Sequence, residues 1–210
     1  MADVIKRFEE IYNIKGESPW TFESPSPELV NLVECGKING LTVLEIGSGE
    51  GINSIYLASK GFKVSAFDRS QKAIEFAKQN LVSAKVNLDF FTMDYKDLSQ
   101  IVGKFDFIFD WRFLHEITDE YERLKYAKNI ARLLSNEGKY LSVAFSGNEE
   151  CLVKGKLRAA PSGMTVYFAT LEDTEKLFSA DFVCLEKKLI KVPQKPDLQI
   201  TANYLFMGRM

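Results

Sequence analysis

Three glycines at alternate positions follow a short apolar run in the segment LEIGSGEG, residues 44–51. The apolar run is typical of a buried β-strand, and apolar residues at helical spacing begin just after the last glycine. Because Gly47, Gly49 and Gly51 carry no side chains, the backbone there can turn sharply and approach a ligand closely. The segment therefore predicts a strand, a nucleotide-binding turn and a helix.

The glycine spacing and one acid distinguish between the cofactors that use such a turn. A dinucleotide-binding turn has its third glycine three residues after the second, but Ile52 occupies that position here. Glu45, within the strand, favours a positively charged ligand, because a nearby cation offsets the cost of burying a carboxylate. S-adenosylmethionine carries an ammonium and a sulfonium, so it fits better than a nicotinamide cofactor.

The next unit ends in an acid at the position expected for binding a ribose. A helix is predicted at residues 53–59 and ends at Gly61, and the segment KVSAFD, residues 63–68, predicts a second buried strand. Its last residue, Asp68, follows the turn by about twenty residues, where a carboxylate can accept from both ribose hydroxyls. Asp68, together with the adjacent Arg69, is predicted to bind the cofactor.

Two further predicted strands also end in acids. LDFFTMD ends at Asp94, which can accept a hydrogen bond from an adenine amine, and Tyr95 after it can stack on the base. KFDFIFD ends at Asp110. Because ligands of open α/β sheets lie at the carboxyl ends of the strands, we expect the strand acids to line one cofactor site. These acids are Glu45, Asp68, Asp94 and Asp110.

Taken in order over residues 20–138, these motifs resemble those of the class I S-adenosylmethionine-dependent methyltransferases. LEIGSGEG is similar to the first motif of that family, SAFD to its ribose-binding acid, FFTMDY to its adenine-binding strand end and FDFIFDWRFLHEI to its fourth-strand motif. The resemblance implies S-adenosylmethionine as the cofactor. It also implies an α/β fold with a seven-stranded, mostly parallel Rossmann-like sheet and helices on both faces. The last strand is expected to insert antiparallel between strands five and six.

Two other segments resemble a narrower group within that family. SPWTFESPSPELV, residues 18–30, and GKLRAAPSGMTVYF, residues 155–168, are similar to segments of thiol, thiopurine and halide methyltransferases. This resemblance implies methyl transfer to a small molecule, with a thiol slightly favoured over nitrogen, oxygen or a halide.

Residues near the acceptor are expected mainly to orient it and to exclude water, because a sulfonium methyl group is already activated. Trp20 is predicted to cover the sulfonium by a cation–π contact, or else to plug the edge of the sheet. Trp111, Arg112 and His115 follow the fourth strand and are predicted to face the acceptor. Arg112 could steer an anion and His115 could take a proton, although a structural role is the alternative for His115.

Two more substrate candidates lie after the fifth strand. Arg158 could bind a carboxylate through its planar guanidinium, or lie on the surface. Tyr167 and its neighbour Phe168 could form the wall of an apolar pocket.

The rest of the chain predicts completion of the same sheet. Ser26 and Pro27 are expected to begin a helix, and a second helix is expected over residues 119–135. A third helix should begin near Thr170. Strands are predicted from the segments KYLSVAFS, FVCLEKKLI and ANYLFMGR.

Length and charge limit the organisation and the partners. The 210 residues suit a single domain, with residues 1–40 as an N-terminal helical cover and residues 41–210 as the core. A net charge of −2, with 27 basic and 29 acidic residues, gives no basic face for nucleic acid. No apolar run approaches the ~20 residues of a membrane helix, and the opening MADVIKRFEE does not resemble a secretion signal. We therefore expect a cytoplasmic protein without a nucleic-acid or membrane partner.

Histidine and cysteine usage argues against metal chemistry. His115 is the single histidine, and Cys35, Cys151 and Cys184 lack metal-binding or redox spacing, so reduced thiols and no metal are expected. The expected partner is a small-molecule methyl acceptor, and the oligomeric state is left open between monomer and homodimer.

Three other functions are considered for this architecture. Aminopropyl transfer from the decarboxylated cofactor needs acids near the fourth strand, where only Asp110 is available. A non-catalytic module that binds the cofactor is the other alternative, and a nicotinamide oxidoreductase ranks last because of the glycine spacing and Glu45.

Overall fold

Strands of one central sheet organise the molecule. The computed structural model describes residues 2–147, 155–160 and 163–210. The strands in this part of the chain are β1 Thr42–Ile46, β2 Lys63–Asp68, β3 Asp89–Thr92, β4 Phe105–Trp111, β5 Leu134–Phe145, β6 Leu157–Ala159, β7 Thr165–Tyr167, β8 Phe182–Gln194 and β9 Leu198–Arg209. Seven of them form a sheet in the order β3-β2-β1-β4-β5-β9-β8, and β6 pairs with β7 separately.

Strand directions agree with the predicted fold class. β1 to β5 pair in parallel, whereas β9 runs antiparallel to both β5 and β8. The last strand thus inserts between the fifth strand and its predecessor in the chain, and the mostly parallel α/β sheet is confirmed. The short pair β6 and β7 was not predicted.

Helices lie between the strands, as expected for parallel connections. They are α1 Ala2–Ile11, α2 Pro27–Glu34, α3 Ile52–Ser59, α4 Gln71–Ala84, α5 Glu120–Leu133 and α6 Leu171–Phe178, with short 3-10 helices at Tyr95–Gln100 and Leu114–Glu116. α5 begins one residue after its N-cap Asp119, whose carboxylate accepts from the Glu122 amide. Ser26 does precede α2, but its side chain makes no capping hydrogen bond, and its amide donates to Asn53 instead.

Alternation along the strands sends apolar side chains to both faces of the sheet. In β4, Phe107 and Phe109 pack on the face covered by α2, α3 and α4, whereas Ile108 packs on the face covered by α5 and α6. β1 divides in the same way, with Val43 on the first face and Leu44 on the second. Each fully buried side chain of this size stabilises the fold by roughly 1.5–3 kcal/mol.

In the described part of the chain, no helix is long and apolar enough to cross a bilayer, and no group of three or more potential ligands is placed to hold a metal ion. Cys35 and Cys184 are free thiols. Cys151 lies outside the described residues.

The junction between β1 and α3 depends on Gly51. Its φ is +78°, and a Cβ there would lie 2.3 Å from the ring of Phe90 and 3.1 Å from the Cβ of Ala77. The missing side chain therefore lets the start of α3 pack against β3 and α4. This packing role is different from the ligand contact expected for this glycine.

We expect Gly51→Ala to destabilise the fold by roughly 2–5 kcal/mol, because it combines a strained left-handed backbone with overpacking against Phe90. Gly61→Ala is the matched control, since Gly61 has a φ of +93° but no heavy atom within 4 Å of a built Cβ. It should cost only about 1–2 kcal/mol. Urea unfolding measures both values.

The double variant Gly51→Ala/Phe90→Leu should cost less than the sum of its two single variants, because leucine relieves the contact. Equal losses for Gly51→Ala and Gly61→Ala would show that backbone strain alone explains both.

Candidate functional site

A cavity of about 530 Å³ lies at the carboxyl ends of β1, β2 and β4, where the strand order reverses around β1. Residues from the N-terminal segment, residues 8–27, and from the turn between β8 and β9 complete its wall. The predicted site residues that line the cavity are Trp20, Glu45, Gly47, Gly49, Gly51, Asp68, Arg69, Tyr95, Trp111, Arg112 and His115. Four other predicted residues, Asp94, Asp110, Arg158 and Tyr167, do not line it.

Asp68 joins the ends of β1 and β2. Its Oδ2 accepts the Gly49 amide at 2.9 Å and its Oδ1 accepts the Ser70 amide at 2.9 Å. Burial raises the pKa of this carboxyl, and the two amides partly oppose that rise. Each oxygen keeps a lone pair, because a carboxylate oxygen can accept two hydrogen bonds. The carboxylate can therefore hold the turn and accept from a diol at the same time.

Glu45 is the second buried acid in the cavity wall, with 2% of its surface exposed. It accepts from the Ser54 hydroxyl, and its Oε1 lies 3.5 Å from the Asn53 amide nitrogen. Burial raises the pKa of the Glu45 carboxyl to about 8. A cation nearby would favour the ionised form, so the site suits a positively charged ligand.

Arg69 and Tyr95 form a cationic and aromatic wall. The Arg69 guanidinium lies 5.4 Å from the ring centre of Phe8 and 5.5 Å from that of Tyr95. Tyr95 in turn packs edge-on against Phe113 at 5.6 Å. A flat base beside Tyr95 would therefore have both a ring and a guanidinium as neighbours.

Asp94 is not among the residues that line the cavity, although its neighbours are. Its Oδ1 accepts the Lys96 amide at 3.0 Å, capping the 3-10 helix, and its Oδ2 lies 3.7 Å from an Arg69 nitrogen. The carboxylate is thus engaged with the backbone and with Arg69. Its neighbours Met93 and Tyr95 line the cavity instead.

Asp110, which the sequence predicted in the cofactor site, also lies outside the cavity wall. The alternation of β4 turns it toward the face of Ile108, away from the cavity, where it is fully buried. Hydrogen bonds from Tyr126 at 3.0 Å, Ser142 at 3.2 Å and Tyr140 hold the carboxylate. Burial raises its pKa to about 6. The acid therefore anchors α5 and β5 to the end of β4.

Arg158 and Tyr167 also lie outside the cavity wall. The Tyr167 hydroxyl donates to Glu120 at 3.0 Å, and the Arg158 guanidinium lies 5.7 Å above the ring of Phe168. Along β7 it is Val166 that faces the cavity. Strand alternation therefore places Val166 in the cavity wall, and neither Tyr167 nor Phe168 lines it.

Arg112 contributes a positive charge to the cavity wall. Its backbone has a φ of +67°, and its guanidinium donates to the Pro193 carbonyl at 2.8 Å and to the Gln194 side chain. Its Nε is buried without a hydrogen-bond partner among the described residues. Burial lowers the pKa of Arg112 to about 10, so it stays charged at neutral pH.

His115 is neutral and partly engaged. Its ring stacks on Phe145 at 3.7 Å between ring centres, and its Nδ1 accepts the Phe145 amide at 3.4 Å. Burial, with the charges of Arg112 and Arg123, lowers its pKa well below the usual value. The remaining proton is therefore assigned to Nε2, which suits His115 to donate a hydrogen bond rather than to take a proton.

Tyr12, Glu50 and Glu116 are among the cavity residues that were not identified from the sequence. Glu50, inside the glycine turn, accepts the Gly16 amide at 2.9 and 3.1 Å and the Thr21 hydroxyl at 3.1 Å. Lys195 also holds this segment, because its ammonium donates to the Gly16 carbonyl at 2.6 Å. These long-range contacts fasten the N-terminal segment over the turn.

Tyr12 occupies the space that a side chain at position 49 would need. Its hydroxyl accepts from the Trp20 indole at 2.6 Å and would lie 2.9 Å from a Cβ at Gly49. A side chain at this position would therefore meet Tyr12. The expected direct approach of a ligand to this glycine is thus joined by a packing requirement.

Glu116, next to His115, is nearly buried and faces the cavity. Its Oε1 lies 3.8 Å from His115 Nε2, which is beyond hydrogen-bond distance. Burial raises the pKa of this carboxyl to about 7. No residue spacing indicated it, because its setting depends on where β2 and β4 end.

Comparisons with known proteins agree with this geometry. The family model described as a methyltransferase domain matches residues 43–138. A 2-heptyl-1-hydroxyquinolin-4(1H)-one methyltransferase of Mycobacteroides abscessus is 31% identical over 142 residues, which is 66% of this chain and 61% of that protein. A probable thiol methyltransferase of Arabidopsis thaliana is 29% identical over 141 residues, 64% of this chain and 59% of that protein. Less than two thirds of either relative is therefore spanned.

Another relative is matched over most of its length. An uncharacterized methyltransferase of Schizosaccharomyces pombe is 32% identical over 117 residues, 56% of this chain and 79% of that protein. Among solved structures, the 1,6-didemethyltoxoflavin-N1-methyltransferase of Burkholderia thailandensis, with its substrate and S-adenosylhomocysteine bound, superimposes with a TM-score of 0.77. It is 19% identical, and the match covers 100% of this chain and 89% of that one. The strand order, the motifs and the relatives of the present chain together show that it belongs to the class I S-adenosylmethionine-dependent methyltransferases.

Proposed function

We propose that this chain uses S-adenosylmethionine to methylate a small, flat acceptor on an acidic SH or OH group, with the thiol slightly favoured. Nitrogen and halide nucleophiles are the alternatives. The observation that supports this most strongly is that one cavity is lined by two chemically different groups of residues. One group is the glycine turn with Asp68, and the other is Arg112, His115 and aromatic rings.

The glycine turn and the residues around Asp68 have the chemical groups that the cofactor requires. Asp68 keeps lone pairs for the two ribose hydroxyls while it holds the turn. Tyr95 and Arg69 offer a surface for the base, and Trp20 remains our candidate for the side that bears the sulfonium. Glu45 gains by having a cation near it. Together these residues bind a diol, a base and a positive charge.

Arg112, His115 and the aromatic rings in the cavity wall suit an acceptor that becomes an anion. Arg112 supplies a buried cation, and its Nε has a donor to offer. The stacked pair of His115 and Phe145, with Trp111 nearby in the wall, favours a flat ring. The names of two relatives, one acting on a hydroxyquinolone and one on a thiol, support an acceptor of this kind.

Bound S-adenosylmethionine would supply an activated methyl group. The chain itself contributes orientation, exclusion of water and charge. The contacts of Glu50 and Lys195 close the N-terminal segment over the cavity, which keeps water from the acceptor. Arg112 stabilises negative charge on the acceptor, and the His115 Nε2 proton can orient it.

A panel of matched acceptors tests the proposed function. We expect purified protein with S-adenosylmethionine to methylate thiophenol faster than phenol and aniline, with the product identified by mass spectrometry. Methylation of amines or carboxylic acids without any thiol would contradict the thiol preference. Cofactor binding without any product would favour a non-catalytic module, and polyamine products from the decarboxylated cofactor would favour aminopropyl transfer.

Asp68→Ala should weaken S-adenosylhomocysteine binding by at least about 100-fold, because two charged hydrogen bonds of roughly 1.5–3 kcal/mol each are lost. Asp89→Ala, which removes an exposed acid at the start of β3, is the control and should leave affinity unchanged. Calorimetry measures the affinities, and urea unfolding checks that the variant still folds. A loss below about tenfold would argue against the ribose contact.

Glu45 should release a proton when the cationic cofactor binds near pH 7. Its pKa of about 8 leaves it mostly protonated in the free chain, and a bound cation lowers that pKa. Affinity should therefore rise with pH from 6 toward 8. Calorimetry in two buffers of different ionisation enthalpy counts the protons, and Glu45→Gln should release fewer. The same proton count for both proteins would rule out this contribution of Glu45.

A further inference from the structure

Glu116 is a carboxylate with no structural partner in a cavity whose other acids all have one. Asp68 holds two backbone amides, and Glu45 accepts from Ser54. Glu50 holds the N-terminal segment. Among the described residues, the Glu116 side chain has only its 3.8 Å approach to His115 Nε2. A buried acid whose carboxylate makes no hydrogen bond that holds the fold together is available for chemistry.

The charges around Glu116 come from three directions. Asp68 and Arg69 approach from the end of β2, Arg112 from the end of β4, and Tyr12 from the N-terminal segment. Burial and Asp68 raise the pKa of Glu116, whereas the two arginines lower it. The carboxyl therefore titrates at about pH 7, the range in which a general base is most effective.

The neighbouring groups are poor candidates for the same role. The His115 Nδ1 is engaged by the Phe145 amide, and its pKa is far below neutral. Burial holds the pKa of the Tyr12 hydroxyl well above its usual value. Arg112 stays protonated and can only donate. Glu116 is the cavity residue that combines a free acceptor atom with a position beside His115 and in the field of Arg112.

We propose that Glu116 is the catalytic base, accepting the proton of the SH or OH group that is methylated. This inference rests on the proposed function. The acceptor proton moves to a Glu116 oxygen, and the lone pair left on the acceptor forms the new bond to the methyl carbon. The electron pair of the broken carbon–sulfur bond stays on the cofactor's sulfur, which becomes a neutral thioether. Glu116 then returns its proton to water.

The test compares two thiols that differ in whether they carry a proton. At pH 7, benzyl mercaptan is protonated like cysteine, whereas 4-nitrothiophenol is already ionised. Glu116→Gln should lower kcat/KM for benzyl mercaptan by about 100-fold, the usual contribution of a general base, and for 4-nitrothiophenol by less than about threefold. Phenol and pentafluorophenol serve in the same way if oxygen is the preferred nucleophile.

The pH profile gives a second readout. For benzyl mercaptan, kcat/KM of the unchanged chain should rise as pH passes about 7, when Glu116 loses its proton. In Glu116→Gln this rise should shift to the higher pH at which the thiol itself loses its proton. Glu116→Asp should restore part of the rate. Glu137→Gln, at an exposed position of β5, is the matched control and should behave like the unchanged chain.

Equal losses for both thiols in Glu116→Gln would overturn the assignment while leaving the proposed function intact. Absence of turnover by the unchanged chain with every acceptor would instead contradict the proposed function. Infrared difference spectra of the free chain need no acceptor. A protonated-carboxyl band should grow between pH 8 and pH 6, with contributions from Glu116, Glu45 and Asp110, and it should be smaller in Glu116→Gln, with Glu45→Gln as the reference for the other cavity acid. An unchanged spectrum in Glu116→Gln would also overturn the assignment.

Discussion

The hydrogen bonds from two backbone amides to Asp68 are the interaction on which the site depends. They bring the turn after β1 and the end of β2 together, and both carboxylate oxygens take part. Parallel pairing in the sheet only brings the strand ends close, and this carboxylate fixes the path of the chain beyond them. A ligand that binds there meets a preformed surface, so less of its binding free energy is used in ordering the turn.

The cavity combines this rigid turn with walls supplied from distant parts of the chain. Tyr12 and Trp20 come from the N-terminal segment, and Arg112 reaches the end of β8 through the Pro193 carbonyl. The same positions thus contribute to the packing of the fold and to the wall of the cavity. Aromatic rings fill the space left by the glycines, and the charged groups are concentrated where a ligand with charges of both signs would lie.

Features that depend on a local sequence pattern could be predicted. Features that depend on strand register, or on contacts between residues distant in the chain, could not. The glycine turn, Asp68 and the parallel strands follow from contiguous residues, so their elements were placed correctly. Asp110 and Tyr167 do not line the cavity because a strand sends successive side chains to opposite faces, and the choice of face depends on the register. Glu116 was missed because its surroundings come from β2 and the N-terminal segment, which no spacing in its own segment reveals.

Glu50 belongs to the turn and also grips the N-terminal segment through Gly16 and Thr21. Any movement of that segment away from the turn would break hydrogen bonds at the turn itself. The N-terminal wall of the cavity and the conformation of the glycine turn are therefore coupled through one side chain.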